Sequence, residues 1–143
     1  MSALRGKIVL VTFLDSKCTE SCPIIAAVIA IAMHRLSPPE RRQVEALAIT
    51  VQPHVDTPAS VRRFLGARHA LGALDFLIGS VHQLRPVWKA YGILPAVDTG
   101  SADIHSADVR VFNREGVWVS TMHVPVDLTP ANLVHDVRLA LVP

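Results

Sequence analysis

Residues 7–33 read KIVLVTFLDSKCTESCPIIAAVIAIAM, and the order of patterns within them decides the fold. Lys7 to Leu14 form a short, β-branched, nearly continuous apolar run, the pattern of a central strand covered on both faces. From Cys22 onward, CPIIAAVIAIAMHRL predicts a helix with Pro23 near its first turn, where a missing N–H costs little. Both cysteines of the chain, Cys18 and Cys22, fall on the junction between strand and helix, with three residues between them.

Working outward, Ser37-Pro38-Pro39 is expected to stop that helix, and VEALAITV (44–51) to form a second buried strand. QPHVDTPASVRRFLGARHAL (52–71) runs through a loop into a helix, with Asp56 or Thr57 as N-cap and Pro58 just inside. DFLIG (75–79) reads as a short strand, and SVHQLRPVWKAYGI (80–93) as a helix whose regularity Pro86 limits. Residues 94–106 carry Pro, Gly, Ser and Asp without a period and predict a long surface loop. ADVRVF-NREG-VWVSTM (107–122) predicts a β-hairpin whose Gly116 takes positive φ. DLTPANLVHDVRLALV (127–142) predicts an amphipathic helix capped by Thr129, with Leu133, Val134, Val137 and Leu141 on its apolar face. The order β-α-β-α-β-α-β-β-α makes this an α/β chain, with a thioredoxin-like central sheet, flanking helices and a closing hairpin and helix. Residues 1–143 are expected to form a single domain.

Composition narrows the function classes. Half of the residues are hydrophobic and 18% are charged, which excludes disorder. With 14 basic and 12 acidic residues, and only Arg41-Arg42 and Arg62-Arg63 as basic doublets, the chain has no stripe for nucleic acid. The most apolar segment, Ile24 to Met33, has ten residues, half of the roughly 20 a bilayer span requires. The opening MSALRGKIVLVTF enters a strand almost at once and does not read as a secretory signal.

At a strand-to-helix junction the free N–H groups and positive end of the helix dipole favour a thiolate. A purely stabilising disulfide between Cys18 and Cys22 would close a loop of five residues and restrict the unfolded chain little. A thiol–disulfide couple remains, with Cys18 as the more exposed, attacking thiol and Cys22 as the resolving one. A peroxidase site is disfavoured, because Asp15 stands where a peroxiredoxin pattern requires proline. A metal clip is the other reading: two thiolates with one imidazole suit Cu(I), and the imidazole also admits Cu(II).

Of the seven histidines, His34, His69, His82, His123 and His135 lie in or beside helices or the hairpin and read as surface or hydrogen-bonded residues. His54 follows the second strand and reads as a solvated loop residue. His105 ends the irregular loop and directly precedes the hairpin strand, a junction that in a thioredoxin-like layout faces the start of the first helix. It is the expected third ligand.

Three segments in this order resemble the SCO/SenC family of thioredoxin-like copper proteins. GKIVLVTFLDSKCTESCPIIAA is similar to the family's strand, Cys-x-x-x-Cys-Pro and helix; ITVQPHVDTPASVRRFL to its V-x-P-x-x-D-T-P segment; and IHSADVRVFNREG to its histidine, strand and turn. The resemblance implies a copper-binding metallochaperone holding Cu(I) with Cys18, Cys22 and His105 and delivering it to the dinuclear copper site of cytochrome c oxidase. The alternatives are a thiol–disulfide oxidoreductase that reduces the cysteines of that site, or a sensor of copper or redox state. The implied partner is the copper-accepting oxidase subunit or another copper chaperone, in an extracytoplasmic setting facing the membrane. Asp56 matches an acidic loop position of the family. Thr19 stands where many members have Pro, Gln52 where Asp is usual, and Asn113 where a turn Asp is common. Members also carry an anchor or signal and a β-rich segment before the GK; without those strands part of the sheet edge is expected to be exposed.

Overall fold

The computed structural model describes residues 2–101 and 107–143. Five strands form one sheet in the order β3-β2-β1-β4-β5: β1 is Ile8–Leu14, β2 Val44–Thr50, β3 Asp75–Leu77, β4 Asp108–Phe112 and β5 Trp118–His123. β1, β2 and β3 run parallel, while β4 and β5 are antiparallel to their neighbours. The helices are α1 Ser21–Arg35, α2 Pro38–Arg41, α3 Pro58–Ala67, α4 Val81–Tyr91, α5 Ala96–Thr99 and α6 Pro130–Leu141, with a 3-10 turn at Ser2–Leu4.

β1 is buried along its whole length because both of its faces are covered. Ile8, Leu10 and Leu14 join a cluster with Ile25 and Ile29 of α1, Val61 and Phe64 of α3, and Leu133 and Val137 of α6. Val9, Val11 and Phe13 join the opposite cluster with Leu84 and Trp88 of α4, Ile93 and Ala96. Strict alternation within a continuous apolar run thus feeds two cores. The sheet edges are β3 and β5.

Local signals held at most boundaries. Thr57, rather than Asp56, caps α3, accepting from Ser60 N at 3.1 Å, and Pro58 is the first helical residue. Thr129 caps α6 in the same way. Pro86 lies inside α4 without ending it, and Gly92 closes that helix at φ 64°. Two expectations need correction. Ser37 does not merely stop α1; it starts α2 through a capping box with Glu40. The segment expected to be surface loop after residue 94 contains α5, whose Ala96 is fully buried in the second cluster because Val97 N bonds to Val51 O at 3.2 Å and draws the turn inward.

Candidate functional site

The Cys18 loop leaves the carboxyl end of β1 as a tight turn. Asp15 Oδ1 accepts from Lys17 N at 2.7 Å, and Asp15 O accepts from Cys18 N at 3.2 Å, so one residue closes the turn with both side chain and backbone. Asp15 is fully buried. A second buried carboxylate, Asp56, holds the turn from the β2–α3 loop: its Oδ1 accepts from Ser16 N at 3.0 Å. Its Oδ2 accepts from Thr50 Oγ1, whose oxygen in turn accepts from Gln52 N at 3.0 Å. Trp88 Nε1 donates to Thr50 O at 3.0 Å from the other side of the sheet, and Ser16 Oγ meets Ser60 Oγ of α3 at 3.2 Å. The turn is therefore bonded to two strands' ends and one helix rather than left to solvent.

Glu20, at the N-cap of α1, makes no side-chain capping bond. Instead Cys22 N, in the first turn, donates to Cys18 Sγ at 3.4 Å. The sulfur occupies the place of a capping oxygen, where helix N–H groups and dipole favour negative charge. No disulfide joins Cys18 and Cys22, which are 4% and 0% exposed. The Cys22 thiol is pushed far up, first by its bond to the Cys18 sulfur, then by burial and by the Cys18 charge; a backbone hydrogen bond at Asp15 opposes the shift. The pair is thus graded: a proton leaves Cys22 only at high cost once Cys18 carries charge.

Of the residues expected at the site, Cys18 and Cys22 lie together, and both are buried, since the turn folds Cys18 under the α1 entrance; Cys18, at 4%, is the more exposed of the two. His105 lies outside the described residues. Asp108, the first residue of β4, lies near the carboxyl end of β1, where Thr12 Oγ1 donates to Asp108 O at 2.7 Å. His54 is exposed, and His34 Nδ1 lies 2.6 Å from Ala30 O, engaged with its own helix. Among the described residues no group of three or more His, Cys, Asp or Glu side chains converges on one point. Two adjacent soft donors fit a soft ion of low coordination number, for which Cu(I) is the biological match.

Sequence reading missed the support around the thiols. Asp56 was legible as a cap candidate and as an acidic loop position of the family pattern; its role at the turn follows from leaving the cap to Thr57 and turning inward to Ser16 and Thr50. Asp15, Thr50 and Trp88 gave no separate signal, since each sits in or beside an apolar run. Gln52, where the family usually has Asp, carries a buried Oε1 with no hydrogen-bond partner among the described residues. Asn113 does the work of the turn Asp, its Oδ1 accepting from Glu115 N and Val117 N at 3.1 and 2.9 Å.

Comparison with known proteins agrees with this fold. The chain is similar to the copper-bound ScoI of Bradyrhizobium japonicum, with 25% identity and a TM-score of 0.78 over 98% of this chain and 88% of that one. It is similar to apo Sco1 of Thermus thermophilus, with 23% identity and a TM-score of 0.81 over 98% of this chain and 83% of that one. A Stutzerimonas stutzeri protein named "Putative copper-binding protein" is 26% identical over 129 residues, 87% of this chain. The chain spans 62% of the length of that curated relative. The thioredoxin-like sheet, with its flanking helices, is the fold of the Sco structures. A family model described as SCO1/SenC matches residues 1–141, and the chain belongs to that family.

Proposed function

We propose that the protein is a copper-binding metallochaperone that holds Cu(I) between the thiolates of Cys18 and Cys22, with the His105 imidazole as third ligand. The observation that carries this reading is the pair of adjacent thiols, not joined by a disulfide, at the entrance of α1, with Cys22 N 3.4 Å from Cys18 Sγ. Helix N–H groups aimed at one sulfur stabilise its thiolate, and a cuprous ion bound there relieves the cost of charging the second. His105 lies just upstream of β4 in sequence, and β4 begins beside the strand that delivers the cysteines. A third ligand from a different stretch of chain than the two thiolates suits capture and release, so transfer proceeds by ligand exchange to an acceptor's thiolates.

The acceptor in this reading is the dinuclear copper site of cytochrome c oxidase, or another copper chaperone, met in an extracytoplasmic compartment by a single thioredoxin-like domain. Among the described residues no helix is long and apolar enough to cross a membrane.

The test is an anaerobic Cu(I) titration of the reduced protein against a competing chelator. One tightly held copper per chain is expected. It should be lost in Cys18→Ser or Cys22→Ser and weakened in His105→Ala. A folded protein that binds no copper overturns the reading, and equal affinity after His105→Ala removes that ligand.

A second reading, thiol–disulfide exchange, is favoured by the graded thiols: a sulfur whose charge is stabilised by helix N–H groups, next to one held protonated, is the arrangement of an attacking and a resolving cysteine. The two roles are compatible, because copper binds only the reduced pair.

A further inference from the structure

A recess of about 370 Å³ opens beside Cys18, between the cysteine turn and α3. Its apolar part is Phe64 and Ala67; Cys18, Thr19, Ser16 and Ser60 line it on the polar side. The remaining lining residues are Lys17, Arg63 and Arg68, and no Asp or Glu lines it. Among the described residues none of these three cations makes an ion pair. Arg68 Nε is buried without a hydrogen-bond partner among the described residues, while its Nη1 donates to the carbonyl of the neighbouring Ala67 at 3.3 Å. Arg85, Arg110 and Arg138 pair with Asp98, Asp108 and Glu40, whereas the arginines at this recess face no acid. Lys17 and Arg63 are exposed and Arg68 is half-buried, so the rim beside the buried Cys18 sulfur carries positive charge that favours an anion there.

We propose that this recess is a carboxylate-binding subsite for the thiol or disulfide that exchanges with Cys18, so that Lys17, Arg63 and Arg68 select partners bearing negative charge next to the reacting sulfur. The inference rests on the exchange chemistry given above for Cys18 and Cys22. The volume suits a small carboxylate-bearing thiol, or one or two acidic side chains flanking a cysteine of an acceptor protein. In the exchange, the Cys18 thiolate attacks one sulfur of R–S–S–R. The Cys18–S bond forms as the S–S bond breaks, and one R–S⁻ leaves with the electron pair. Cys22, having released its proton to solvent, then attacks Cys18 Sγ, expelling the second R–S⁻ and closing the Cys18–Cys22 disulfide. The substrate gains two electrons and the dithiol loses two; the protons lost by Cys18 and Cys22 balance those taken up by the two leaving thiolates. Throughout, the carboxylate of R stays against the arginines, holding the sulfur at Cys18.

The experiment uses the reduced full chain and three disulfides: dithiodiglycolate (anionic), bis(2-hydroxyethyl) disulfide (neutral) and cystamine (cationic). Rates of Cys18 reaction are followed by stopped flow, with mass spectrometry to assign the cysteine. The wild type is expected to favour the anionic reagent, and the anionic-to-cationic rate ratio to fall about threefold in Arg63→Gln or Arg68→Gln and about tenfold in the double variant, as for partly exposed ion pairs. The neutral reagent has no charge for the subsite to hold, so its rate reports the Cys18 thiolate alone and the other two rates are divided by it; 0.5 M salt should shrink the wild-type ratio, since charges at that ionic strength are felt over only about 3–8 Å. A ratio unmoved by the double variant overturns the subsite, as does an equal change for all three reagents. Failure of Cys18 to react with any of them in the folded protein also overturns it. A disulfide-linked dimer of a cysteine peptide flanked by Glu, compared with one flanked by Gln, distinguishes the source. Discrimination between the peptides assigns a protein partner; discrimination among the small disulfides alone assigns a small thiol. Cu(I) stoichiometry measured on the same proteins keeps the readings apart: loss of copper binding with the charge preference intact counts against the metallochaperone alone, and the reverse counts against the subsite alone.

Discussion

Replacing Asp56 by Ala tests whether the cysteine turn is held by a buried carboxylate or merely rests near one. Asp56 is 4% exposed and accepts two hydrogen bonds, from Ser16 N at 3.0 Å and from Thr50 Oγ1. Hydrogen bonds to a charged group contribute about 1.5–3 kcal/mol each, so the pair sums to about 3–6 kcal/mol. Removing a buried carboxylate also removes its desolvation penalty, and water can reach the half-buried Ser16, which together bring the expected loss to about 3 kcal/mol. With a urea m-value of about 2 kcal/mol/M, the unfolding midpoint should drop by about 1.5 M. Asp56→Asn can still accept from Ser16 N while donating to Thr50, and should cost about 1 kcal/mol. The second readout is the cysteine turn: losing its tie to the β2–α3 loop should speed alkylation of Cys18 in the native state and weaken Cu(I) binding at least about tenfold, as for other supports of metal ligands. A stability loss below about 1 kcal/mol in Asp56→Ala would refute the accounting. A full stability loss with Cys18 labelling unchanged would refute the claim that Asp56 positions the thiol.

Two further perturbations address charge directly. Glu40 is held down at about 2 by Arg138, with Ser37 adding hydrogen bonds at the same carboxylate. Because its folded value is depressed, its contribution is complete above the ordinary carboxylate range, near 4.5, and is lost as pH falls through about 2. Arg138→Ala should raise the Glu40 titration midpoint towards the ordinary value in an NMR titration; an unmoved midpoint would mean that the α2–α6 contact is not electrostatic. Graded thiols predict that iodoacetamide at pH 8 modifies Cys18 first and leaves Cys22 as a thiol, read by peptide mass mapping. Equal rates at both cysteines would show that Cys22 is not held protonated by Cys18 and burial.

The sequence by itself determined the strand-and-helix order and the placement of both thiols, because these rest on short-range physics. A β-branched run such as Ile8–Leu14 fixes an extended strand, and Cys22-Pro23 followed by an unbroken apolar stretch fixes a helix start. Thr57-Pro58 and Thr129-Pro130 set two more helix starts through side-chain caps that need no partner elsewhere in the chain. The family pattern was legible for the same reason: its motifs are local. What only the tertiary structure decided depends on residues far apart in sequence. Asp56 reads locally as a cap candidate and becomes a clamp only because β1 and β2 lie side by side, bringing Ser16 within 3.0 Å across 40 residues. Trp88 reaches Thr50 O only because α4 covers the face of the sheet opposite α1. Arg63 reads only as half of a basic doublet, and it lines the recess beside Cys18 because α3 packs against the cysteine turn. Ala96 reads as loop until one backbone bond to Val51 pulls it into the core. Propensity and capping act over three or four residues and leave their mark in the sequence, whereas burial and hydrogen bonding between elements are fixed by which strands become neighbours, a choice made by the whole core at once.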